Sequence, residues 1–318
     1  MLAYLLFVLG LLGVLAGAQL LVSSSSRLAA MLGVPPIVVG LTIVSFGTSA
    51  PEIVISGLAS YQGHPETALG NVVGSNIANV GLVLALAAVI YPLRPDRTVL
   101  RREGPVMVVI SLVFLAVAFT GGYERWHGAV MLAVLAALLV VSLRWSREAG
   151  PGALAGGVEI IQVRPRLSVW RAMGQAGYAV VGVGLLFGGG QALVSGAVDI
   201  AEQFSVPQFV IASTLVAIGT SVPELATSVV AALRKQADIA VGNIIGSNIF
   251  NLLAVLGIAS LAGAIPVEGI VQQVDMPVMA AFSIVAVAAA RWRYSMTRWE
   301  GGALLAAYVL YLSFLLVR

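Results

Sequence analysis

The stretch GTSAPE, from Gly47 to Glu52, returns as GTSVPE, from Gly219 to Glu224. GNVVGSNIAN, from Gly70 to Asn79, returns as GNIIGSNIFN, from Gly242 to Asn251. Glu52 and Glu224 are 172 residues apart, and so are Asn79 and Asn251, so no gap separates the two copies. The repeated units run over Val38–Leu84 and Val210–Leu256. The register extends outward to Gln19 and Ser23, which match Gln191 and Ser195. Such internal duplication marks a fold of two related halves. Each copy also sets one Glu inside an apolar run, and a carboxylate in apolar surroundings needs a partner.

The chain is 59% hydrophobic and 10% charged, with a mean hydropathy of +1.01. Soluble domains carry about 25% charged residues. The chain therefore reads as an all-α polytopic membrane protein with the lipid bilayer as its main solvent. Its basic residues sit in short loops between apolar runs, which fits orientation in a membrane and argues against nucleic acid. There is no Cys, which excludes disulfides and thiolate metal sites. The first run, Leu2 to Val22, is expected to be a retained spanning helix, because it is long and lacks a basic start.

A spanning helix needs about 20 apolar residues. Ten runs qualify: 2–22, 34–60, 67–91, 104–121, 127–143, 172–197, 206–233, 238–263, 275–290 and 301–317. The polar gap from Arg144 to Arg171 reads as a cytoplasmic linker between two five-helix halves, 1–143 and 172–318. With loops assigned alternately to two sides, fifteen Lys and Arg fall on one side, and Arg125 and Arg318 fall on the other. The rich side is cytoplasmic by the positive-inside rule, so both termini are expected outside. Glu66, Glu124, Asp199, Glu202, Glu268 and Asp275 then face outward as an acidic rim. Five helices per half make the second copy enter the membrane inverted, as in many secondary transporters.

Pro51 and Pro223 remove a backbone N–H in mid-span, and Gly47 and Gly219 tolerate unusual dihedrals. Helices 2 and 7 are expected to break there and free carbonyl oxygens. Thr48, Ser49, Thr220 and Ser221 add hydroxyls at the same depth, one turn before Glu52 and Glu224. Ser75 and Asn79 share a helix face, as do Ser247 and Asn251. This donor set is oxygen throughout. It suits Ca²⁺, which takes 6–8 oxygens, or Na⁺, and suits Zn²⁺ and Cu poorly. His64 and His127 sit at the ends of spans and read as interfacial residues.

These paired motifs resemble the alpha repeats of the cation/Ca²⁺ antiporter superfamily, nearest its prokaryotic sodium/calcium exchanger branch. The resemblance implies that Glu52 and Glu224 ligate Ca²⁺, with the carbonyls of Thr48 and Thr220 completing the site. It implies flanking Na⁺ sites made by Ser49, Ser221, Ser75, Ser247, Asn79 and the backbone near Ala217. It also implies that the first and sixth helices slide over a fixed core, for which the run Gly182–Gly190 offers a smooth surface. Two positions depart from the pattern. Asn251 stands where sodium-coupled members commonly carry Asp, and Ser45 stands where Ala is frequent. Asn251 leaves Na⁺ and H⁺ both open as the coupling ion.

The expected function is Ca²⁺/Na⁺ antiport in the cell membrane by alternating access, with H⁺ coupling or a passive channel as alternatives. No nucleophile–base constellation appears at membrane depth, so no enzyme activity is expected. No cofactor and no obligatory protein partner are expected either.

Overall fold

A computed structural model describes residues 2–32, 36–95, 97–148, 169–204, 219 and 221–317. Among these the chain is helical apart from one two-stranded ribbon. Helix α1 is Leu2–Leu32. Helix α2 covers residues 36–48 and α3 is Ala50–Tyr61. Then come α4, Pro65–Ile90, and α5, Arg97–Ala118. After β1, Gly122–Tyr123, follow α6, Arg125–Glu148, and α7, Val169–Gln203. The second half continues with α8, Val222–Leu233, and α9, Ala237–Ala262. Strand β2, Ile265–Pro266, precedes α10, Val271–Arg293, and α11, Arg298–Val317.

Six of these helices are long and apolar enough to cross a membrane: α1, α4, α6, α7, α9 and α10. The bent pair Gly40–Thr48 and Ala50–Tyr61 makes a seventh if it is one span. Helix α5 begins with Arg97, Arg101 and Arg102, and α8 is a short apolar helix of 12 residues, so neither passes on length and composition. Most of the expected linker and the first part of expected helix 7 lie outside the described residues.

Helices α4 and α9 form the centre. Their most apolar windows are 72% and 89% buried, against 17% for α6 and 33% for α1 and α7. In water an apolar helix hides its apolar face, but in lipid the outer helices keep theirs outward. Exposed Leu5, Leu9 and Leu12 on α1 and Leu310 on α11 follow that rule.

The halves match in backbone detail. Helix α3 ends at Gln62 with φ −81°, and α8 ends at Arg234 with the same φ, 172 residues later. The turn that follows needs positive φ, which Gly63 supplies at +85° and Lys235 at +60°. Lys235 is the costlier solution, since a Cβ disfavours that region. π-helical turns begin at Asn79 and at Asn251, again 172 apart. Ser111 Oγ meets Ser283 Oγ at 3.2 Å, and these two residues occupy the same repeat position. Helices α5 and α10 therefore pack together at equivalent repeat positions. The ribbon β1–β2 clips the α5–α6 turn to the α9–α10 turn.

One expectation changes. Asp275, expected in an outer loop, ends a π-helical turn of α10; it is buried and accepts a hydrogen bond from Tyr311 Oη at 3.0 Å. Within the run expected to offer a smooth surface, Gly182 and Gly189 pack α7 directly on α1. A Cβ on Gly17 would lie 2.7 Å from the Leu186 nitrogen, and one on Gly189 would lie 2.6 Å from the Val14 nitrogen. Small residues let helix backbones approach in lipid, which lacks a hydrophobic drive for association. Helix α7 also reaches Gly47 and Gly219, through Val183 and Val194.

Gly17→Ala should force α1 from α7 and destabilise the protein by about 1–3 kcal/mol, as overpacking does. Gly184→Ala, on the open side of α7, should leave stability unchanged. Thermal unfolding in detergent separates the two.

Candidate cation site

Helix α2 gives way to α3 at Ser49, where φ −86° and ψ 4° interrupt the helix and the axis bends by 51°. Pro51 brings no N–H, so the Gly47 carbonyl lacks its usual partner four residues on. No hydrogen bond runs from the Glu52 N–H back to the Thr48 carbonyl. Ser221, with φ −90° and ψ 5°, opens α8 in the same way. The first break thus leaves the Gly47 and Thr48 carbonyl oxygens without their usual helical partners.

Glu52 and Glu224 are each 1% exposed. Glu224 reaches the first break, where Ser49 stands three residues before Glu52. Ser49 Oγ donates to Glu224 Oε1 at 3.5 Å. Glu52 Oε2 and Glu224 Oε2 have no hydrogen-bond partner among the described residues. A bare buried carboxylate costs several kcal/mol, so the site favours a cation or a proton.

Neutral hydroxyls and amides of the same motifs are buried as well. Ser45, Thr48, Ser49, Ser75, Asn79, Ser221, Ser247 and Asn251 are all buried. Thr48 Oγ1 is 3.4 Å from Ser247 Oγ, joining the first GTS segment to α9. Ser45, the departure from the expected Ala, lies 2.7 Å from the Gly40 carbonyl and 3.0 Å from the Asn243 carbonyl. Its hydroxyl replaces a contact that Ala would lack, and Gly246 leaves room for it. Thr220 and Ala217 lie outside the described residues. His64 and His127 stay away from the site: His64 lies 3.9 Å from Glu66, and His127 Nδ1 accepts the Glu124 N–H.

Sequence reasoning missed the residues that hold these donors. Asn243 receives Thr48 Oγ1 at 3.3 Å and donates to Ser228 Oγ at 3.0 Å. Asn71 donates to Ser56 Oγ at 2.9 Å, the same bond 172 residues earlier. Ser56 and Ser228 each follow a Glu by four residues, so helix periodicity alone puts them on the Glu face. Asn79 Nδ2 donates to Asn248 Oδ1 at 3.1 Å. Its repeat equivalent would join Asn251 to Asn76, and that bond is not made. Both amide atoms of Asn251 and the Asn76 oxygen are without partners among the described residues.

A helical polytopic bundle with two interior carboxylates ringed by neutral oxygens has the build of a membrane carrier for cations. The sequence profile of the sodium/calcium exchanger protein family matches residues 2–144 and 175–317. The chain belongs to that family, whose members are transporters and not enzymes. It is 32% identical to the sodium/calcium exchanger MaX1 of Methanosarcina acetivorans, over 97% of each chain. It is 36% identical to the inner membrane protein YrbG of Escherichia coli, over 93% of this chain and 90% of that one. The fold matches the sodium-calcium exchanger NCX_Mj soaked with Na⁺ and no Ca²⁺, with a TM-score of 0.82, 30% identity and 98% of each chain covered.

Asn243→Ala should leave Ser228 and Thr48 without their amide partner. It should cost about 1–3 kcal/mol, the usual penalty for a buried polar group left unpaired. Asn71→Ala, on a half-buried position, should cost less. Comparing unfolding midpoints in one detergent checks the order.

Proposed function

We propose that this protein exchanges Ca²⁺ for Na⁺ across the inner membrane by alternating access, with Ca²⁺ held between Glu52 and Glu224. The observation that carries this reading is the pair of 1%-exposed carboxylates, each with an oxygen lacking any partner among the described residues. Two carboxylates balance one Ca²⁺. Ca²⁺ completes its shell with oxygens, and the Thr48 carbonyl is available at the break. The Thr220 carbonyl is the matching ligand in the second half. Ser49, Ser221, Ser75, Ser247, Asn79, Asn251 and the backbone at Ala217 serve Na⁺ beside the Ca²⁺ position. Ser45 tunes the first half through its bond to the Asn243 carbonyl.

The carrier has ten spans in two inverted halves, 1–143 and 172–318, joined by a cytoplasmic linker at 144–171. Both termini lie outside. The backbone matches at offset 172 support the two halves, and the arginine asymmetry supports the orientation. Obligatory exchange follows from electrostatics. Empty carboxylates are too costly to carry through the change of access, so the protein switches only when loaded.

H⁺ coupling is the second reading, and Asn251 favours it. An Asp at that position would supply a third carboxylate for Na⁺, and the amide does not. Radiolabelled Ca²⁺ uptake into proteoliposomes separates the two. Uptake that requires internal Na⁺ supports sodium coupling, and uptake driven by a pH gradient without Na⁺ assigns the proton. Current without a counter-ion would instead mark a channel.

Glu52→Gln and Glu224→Gln should each lower Ca²⁺ affinity by roughly 100-fold or more, since removing one partner of a buried charge pair costs about 3–5 kcal/mol. Both variants should stay folded, because the amide keeps the shape of the carboxyl. Retained Ca²⁺ uptake in both would refute the assignment.

A further inference from the structure

The turn between α4 and α5 and the turn between α10 and α11 are bound into one surface. Leu93 and Met296 exchange backbone hydrogen bonds of 3.0 and 2.8 Å. Arg298 donates to the Ile90 carbonyl at 3.4 Å. Residues 94–103 and 291–300 bring seven arginines and three carboxylates to this end of the bundle. Two of those carboxylates are engaged. Glu300 Oε2 takes the Thr297 N–H and hydroxyl, and Glu103 Oε1 takes the Ser142 hydroxyl. The third, Asp96, lies outside the described residues. Among the described residues no carboxylate lies within 4.0 Å of Arg94, Arg97, Arg101, Arg291, Arg293 or Arg298.

Two of these cations are gathered on one ring. The guanidinium carbons of Arg97 and Arg101 stand 4.8 and 5.2 Å from the centroid of Tyr294. Arg101 Nε also donates to Tyr294 Oη at 2.8 Å. The two arginines are four residues apart on α5, so their like charges share one helix face. Tyr294 ends α10 in the left-handed conformation, φ +50°, which sets its ring beneath them. Repelling cations held together on an aromatic ring, both on exposed residues, match a phosphodiester, which takes guanidinium hydrogen bonds in pairs. Beside them Trp292 and Trp299 are 84% and 90% exposed. Exposed Trp at the end of a spanning helix sits at headgroup level.

We propose that Arg97, Arg101 and Tyr294 form a binding site for the headgroup of an anionic phospholipid. The site joins the first half, through α5, to the second, through α10, and Trp292 and Trp299 lie beside the acyl chains. Bound lipid offsets the repulsion between the two arginines and fastens the halves at this end. The site is separate from Glu52 and Glu224, so it stands whatever ions are carried.

The test places the full chain in nanodiscs of phosphatidylcholine alone or with phosphatidylglycerol. The buffer holds KCl and no Na⁺ or Ca²⁺, so that the cation site stays unloaded. Tryptophan fluorescence follows unfolding. The wild-type midpoint should rise by several degrees with phosphatidylglycerol. Arg97→Gln/Arg101→Gln should lose more than half of that rise, while Arg125→Gln, at the opposite end of the bundle, should keep it. Native mass spectrometry should find phosphatidylglycerol retained by the wild type and released by the double variant. An equal rise in the wild type and the double variant would overturn the site and leave the arginines as orientation signals alone. If the double variant does not fold, Tyr294→Leu removes the platform and is read by the same two outcomes.

Discussion

A carboxylate deep inside a helical bundle has to be met by something, and here it is met by another carboxylate. Glu224 of one repeat reaches the break that precedes Glu52 of the other, and both are buried. No Lys or Arg shares their surroundings in sequence. The arrangement is stable only when a cation or a proton enters. Much of the structure follows from holding that pair in place. The breaks at Ser49 and Ser221 release main-chain oxygens beside each Glu. The central position of α4 and α9 surrounds the breaks with amides and hydroxyls. The outer helices can then be plain hydrocarbon-facing cylinders.

The supporting shell explains how a site made of weak donors stays in order. Asn243 is bonded on three sides, by Ser45, Thr48 and Ser228. Each of those bonds is modest in isolation, but buried polar groups are expensive to leave unmade. The network therefore fixes the depth of Thr48, and Thr48 fixes the start of the break. Such a shell holds the hydroxyl and amide groups around the break in one arrangement.

Much of this was legible in the sequence because the duplication carries its own check. Any feature seen once at residue n is expected at n + 172. The breaks, the buried serines and the matching turns at Gly63 and Lys235 obey that rule. What escaped was contact across the fold. Asn243 meets Thr48 from 195 residues away, and no local spacing reveals that. The glycines of α7 read as a generic smooth surface, because sequence does not say which neighbour a small residue admits; the neighbour is α1. Asp275 read as a loop residue because it follows a polar stretch, Gln272 and Gln273, although a π-helical turn carries it inside.

The unequal asparagines bear on how the halves divide their work. Asn79 is bonded to Asn248, while Asn251 and Asn76, the same residues in the other copy, are not bonded to each other. Two halves with the same residues at these positions are here in different states. Exchange of those roles between the copies would give a second form, with Asn251 bonded to Asn76 and Asn79 released. Where those two forms are close in energy, a small difference between the copies tilts the balance. The substitutions that separate one repeat from the other, such as Lys235 for Gly63 or Phe250 for Ala78, then act as weights on a nearly level beam rather than as parts of the machinery.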